Sequence, residues 1–184
     1  MDAVRLIEAG RRALAVSEEP KAVVAEVWQA HALAQAVGSR LAVYGPPELR
    51  GEAIGLAELA GRGCGVLGQA PFGAEHLRAA RLSSLGDPSE VLEMLGELLS
   101  EAGIAMIGLA PAAPDDDTYW QCMEAIDAAD ESRDRVLQMI RRLSPDGGAA
   151  GSGSVGGGAG GGGPGRGGAE RGADRATPAA PGRR

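Results

Sequence analysis

Histidine and cysteine are nearly missing from this 184-residue chain, which has two of each. A helical di-iron site uses Glu-x-x-His pairs, but Trp28 stands three residues before His31 and Gly73 three before His76. A Cys/His zinc site would need all four residues from distant segments, with no C-x-x-C to start it. No metal and no cofactor is therefore expected. No serine lies in a G-x-S-x-G turn, so that kind of nucleophile elbow is excluded as well. Alternating Val/Ile/Thr/aromatic runs are absent, and with them the signal for strands. The longest uncharged apolar run, Ala102–Ala113, has 12 residues and is too short to span a bilayer. The opening MDAVRLIEAGRR carries Asp2 and Glu8 and does not read as a signal peptide. Cys64 and Cys122 then read as reduced thiols, and the expected compartment is the cytoplasm.

Lysine is scarcer still, with Lys21 alone beside 17 arginines. Residues 1–145 hold 13 Lys+Arg against 22 Asp+Glu, a net charge of −9. Such a body repels nucleic-acid backbone and anionic membrane surfaces, so neither is an expected partner. From Asp146 onward the character changes: 16 of 39 residues are glycine, and Val155 is the only apolar side chain larger than alanine or proline. That composition cannot offset the entropy of ordering, and it predicts a disordered Gly/Arg-rich tail over 145–184 after a folded domain over 1–144. The tail's net +2 includes one Arg-Gly-Gly, Arg166–Gly168, without repeats or aromatics, which favours a solvated tether over an RNA contact.

What is abundant is alanine and helical periodicity. Val4, Ile7 and Leu14 mark a first helix over Ala3–Val16. Pro20 opens a second that runs to about Val43, where Gly45-Pro46-Pro47 stops it. A third spans Glu48 to about Leu67, and a short one is expected over Ala74–Leu85. Asp87-Pro88-Ser89-Glu90 is a strong start signal for the next, with Asp87 as cap. Its stripe is Val91, Leu92, Leu95, Leu98, Leu99, Ala102 and Met106. The last helix begins near Asp117-Thr118, with Gln121 placed to close a box on Thr118, and continues to about Leu143. The expected fold is all-α, an antiparallel helical bundle of four long helices plus one or two short ones.

GRGCGVLGQ, Gly61–Gln69, contains a literal G-x-G-x-x-G. A phosphate loop needs a buried strand before it and a helix after it. Here EAIGLAELAGR precedes and Gln-Ala-Pro-Phe-Gly follows, so close helix packing is the better expectation. The four-residue spacing of Gly51/Gly55 and Gly61/Gly65 suggests small faces for a neighbouring helix. At the acidic alanine-rich body, the PDDDTYWQCMEAID helix start and the glycine tail, the chain resembles small helical proteins of actinomycete-type, high-GC bacteria. These are grouped only as a domain of unknown function. The likeness spans roughly residues 1–143 and implies no activity.

Two functional readings follow. Glu124, Asp127, Glu131 and Asp134 recur on one face of the last helix, an arrangement of like charges that mildly destabilises it. Core-border packing is the commoner fate of an adjacent pair such as Tyr119 and Trp120, but an exposed Trp120 beside that stripe would mark an interface. The first reading is a non-catalytic interaction or regulatory protein that binds a protein partner or itself. The alternative is a small-molecule binder or enzyme with an interhelical pocket near Trp28, His31 and Cys64.

Overall fold

The computed structural model describes residues 1–69, 72–73 and 76–144. The chain divides into two units, Met1–Gly151 and Ser152–Arg184, and every described residue belongs to the first. The expected tail, 145–184, lies outside the described residues.

Five α-helices are found among the described residues of the first unit: α1 (Ala3–Val16), α2 (Pro20–Tyr44), α3 (Arg50–Val66), α4 (Pro88–Leu109) and α5 (Asp116–Leu143). Their starts follow from local chemistry. The Asp2 carboxylate accepts the Val4 N–H at 2.8 Å, and Asp87 accepts the Glu90 N–H at 3.0 Å, as the start signal for α4 implies. Pro20 and Pro88 sit in first turns, where a missing N–H costs nothing. For α5 the cap is Asp115 rather than Thr118. Its carboxylate accepts the Thr118 N–H at 2.7 Å, a charge-assisted bond that also holds the Asp115 carboxyl below its usual range. Asp116 and Asp117 in the first turn and Arg141 and Arg142 in the last complement the helix dipole.

The short helix expected over Ala74–Leu85 does not form as an α-helix across its described part, which holds 3-10 geometry at His76 and over Ala79–Arg81. The backbone there is bonded elsewhere. The Ser83 N–H donates to Met1 O at 2.9 Å, and the Ala3 N–H donates to Ser84 O at 3.0 Å. From α2, the Gln29 amide donates to His76 O (2.8 Å) and accepts the Arg78 N–H (2.9 Å). The Arg40 guanidinium donates to the carbonyls of Leu82 and Ser83. These long-range bonds consume groups that helical turns would need, and so tie the α3–α4 connection along α2.

The α4 stripe is buried along its whole length. Each leucine so placed contributes about 1.5–3 kcal/mol relative to exposure. α4 packs on α1, α2 and α5, and α3 packs on α2 and α5. α2 and α3 run antiparallel, with Gly38 against Ala53 and Gly63 against His31, and so do α4 and α5, with Gly96 against Val136 and Gly103 against Asp130. α1 and α4 instead run parallel, with Asp2 beside Ser84 and Gly10 against Leu98. No helix among the described residues is long and apolar enough to cross a membrane.

Candidate functional site: the outer face of α5

α5 presents two sides of opposite character. Its inner side buries Cys122, Ala125, Ile126, Ala128, Ala129, Val136 and Met139 against the bundle. Steps of four, three, four and three residues place Trp120, Glu124, Asp127, Glu131 and Asp134 in one row on the other side, and all five are exposed. Trp120 is 62% exposed, and the Tyr119 ring meets it edge-on with centroids 5.7 Å apart. Both aromatics of the pair therefore lie on the surface rather than at the core border. Arg62 of α3 pairs with Glu131. Glu124, Asp127 and Asp134 have no ion-pair partner among the described residues. A groove of about 360 Å³ runs between α3 and α5, with Arg62, Val66, Glu124 and Asp127 in its walls.

Trp28, His31 and Cys64 do come together where α2 meets α3, with His31 and Cys64 buried and Trp28 half-buried. The Trp28 indole N–H donates to Gly68 O at 3.1 Å, and its ring meets Phe72 edge-on. The Cys64 thiol points to Trp28 O at 3.8 Å. Burial pushes that thiol up to about 11, so it stays protonated and a poor nucleophile. His31 is fully buried, with neither ring nitrogen hydrogen-bonded. Burial lowers it to about 4, an effect that the nearby Ala125 backbone offsets only in part, so the imidazole is neutral. The grooves at α1–α4, α4–α5 and α3–α5 and the one beside Arg40 are lined by other residues than Trp28, His31 and Cys64.

Gly63 explains how the imidazole fits. A β-carbon there would lie 2.5 Å from His31 Nδ1, and one at Gly61 would lie 2.9 Å from Gln35 Nε2. At Gly38 it would lie 2.9 Å from both Ala53 O and Ala57 N, which marks the closest approach of α2 and α3. Gly61 and Gly63 of GRGCGVLGQ are thus helical packing positions, Gly65 is helical but faces open space, and Gly68 at φ +81° ends the segment. The four-apart pairing does not describe the packed face: Gly51 and Gly65 meet nothing, and Gly55 lies under the Arg135 guanidinium. The approach of α2 selects Gly61 and Gly63 instead.

Residues 1–142 match the Family of unknown function (DUF6099). The chain belongs to that family. No curated protein and no solved structure matches it. The DUF6099 span takes in α1 to α4 and all of α5 except its last residue, so the α5 row lies inside the family domain.

One more charged cluster in this DUF6099 domain holds α5 in place. Glu52, buried on α3, accepts from Arg135 at 2.5 Å and from Arg142 at 2.6 Å. Sequence reasoning missed this clamp, although an acid flanked by the buried Ala53 and Leu56 was the available signal. Among the described residues no three His, Cys, Asp or Glu side chains gather closely enough to hold a metal ion.

Proposed function

We propose that this chain acts without catalysis, as an interaction or regulatory protein that docks a basic segment of a partner protein on the outer face of α5. The observation that carries the reading is Trp120, exposed in line with four acidic side chains of the same helix. Leaving an indole in water forgoes apolar burial, and a row of like charges weakens its own helix. Both penalties are removed when a partner covers the ring and supplies cations. Tryptophan is a typical interface anchor, and a single-signed row steers an oppositely charged partner. The protonated Cys64 thiol and the enclosed His31 support the non-catalytic part. Two unpaired thiols support a reducing compartment, which we take to be the cytoplasm.

The small-molecule or enzyme reading has one observation in its favour, the two unpartnered nitrogens of His31. Affinity capture from the producing cells, with mass spectrometry of proteins and metabolites, separates the two. The docking reading expects one stoichiometric protein that is lost with Trp120→Ala and with Glu124→Lys/Asp127→Lys. A bound metabolite without a protein, or a protein recovered equally with all variants, contradicts it.

A further inference from the structure

We infer that the α1–α4 face is where two copies of this chain pair. The parallel course of α1 along α4 leaves a groove of about 610 Å³ between them, with Leu14, Ala15, Ile104 and Ala105 in its walls. Ile104 is 65% exposed and Ile107, one turn on, is 57% exposed. Both fall off the stripe by which α4 meets the core, so packing within one copy does not account for them. Exposed apolar side chains one turn apart gain from being covered.

Charge decides what covers it. Residues 1–145 carry a net charge of −9, so two copies repel each other in most orientations. The α1–α4 face departs from that average, because its groove is lined by two acids and two arginines: Glu8, Glu101, Arg11 and Arg12. Arg11 pairs with Glu97 and Glu101, and Arg12 lies 3.9 Å from Glu8. A two-fold dimer brings a surface patch against itself, so the patch must be complementary to itself. A face of one sign fails that condition. A face carrying both signs meets it, because Arg12 of one copy can be set against Glu8 of the second. The α5 row, with four acids facing a single arginine, suits a foreign basic partner. The α1–α4 face, with exposed isoleucines beside side chains of both signs, suits a second copy, since homodimer interfaces are more apolar than the surface at large.

Sedimentation velocity on the full purified chain, over a range of concentrations at near-physiological salt, tests this without any foreign partner. A concentration-dependent dimer is expected. Ile104→Glu weakens it at least tenfold with helical content unchanged, since Ile104 is exposed. Arg12→Glu also weakens it, and adding Glu8→Arg to that variant restores it, because the swapped pair is again self-complementary. A chain that stays monomeric throughout overturns the inference. So does a dimer that tolerates both Ile104→Glu and Ile107→Glu, or one that is lost with Trp120→Ala. The first two results do not bear on docking at α5, which is read by partner capture, whereas the third would move self-pairing to the α5 face.

Discussion

Gly63 and His31 share one seat: the imidazole of α2 fills the space that a side chain at 63 would take, 2.5 Å from where its β-carbon would stand. The ring is fully buried and cannot swing into water. Gly63→Ala is therefore expected to destabilise the bundle by about 1–3 kcal/mol through overpacking. Gly65→Ala, two residues on and facing open space, is expected to stabilise by up to about 1 kcal/mol through helix propensity. Urea denaturation of the two variants checks the contrast. Equal effects would contradict the packing account of the glycines.

His31 also makes stability depend on pH. Folded, it titrates at about 4, against 6.5 for an ordinary histidine. The unfolded chain thus binds the proton more tightly than the folded one. The contribution is complete above pH 6.5 and is lost as pH falls toward 4. The shift corresponds to about 3 kcal/mol. His31→Leu is expected to remove this part of the acid sensitivity while leaving stability near neutrality unchanged or higher, since it also removes two unpartnered polar atoms. Denaturation of both proteins across the window gives the difference, and parallel pH curves would refute it.

The Glu52 clamp is asymmetric. The Glu52 side chain is 12% exposed, whereas Arg135 and Arg142 are 42% and 51% exposed. Glu52→Ala frees two arginines that reach water, so a loss of about 1–2 kcal/mol is expected. Arg135→Ala/Arg142→Ala strands a buried carboxylate and is expected to cost about 3–5 kcal/mol. Chemical denaturation should rank the double variant as the less stable; the reverse order would contradict the asymmetry, and small equal losses would show that the clamp contributes little.

Features set by neighbouring residues were legible in the sequence. Asp87 as a cap, Pro20 as a first-turn residue and the α4 stripe depend on chemistry within a few positions. Features set by distant groups were not. The segment before Leu85 reads as helical, yet Gln29, Arg40 and Met1 take up its backbone groups from far along the chain. GRGCGVLGQ could be freed of its phosphate reading by its flanks, but nothing local reveals that His31 is what Gly63 accommodates. The α5 acids were visible by spacing alone. The acids also marked the side of that helix that faces water, but the place of Tyr119 and Trp120 was not legible until the alanines of the inner side were seen to be buried. For the α1–α4 face, the missed signal was surplus: Ile104 and Ile107 are apolar where the stripe asks for nothing.

The claim that Trp120 anchors a partner is tested most directly by photo-crosslinking in the producing cells. A photoreactive phenylalanine replaces Trp120 in one experiment and, as a control, Ile54, another exposed apolar position, on α3. The account predicts a discrete adduct with one protein carrying a Lys/Arg-rich segment from position 120, weakened by Glu124→Lys/Asp127→Lys, and none from position 54. No adduct from 120, or the same adducts from both positions, would contradict it.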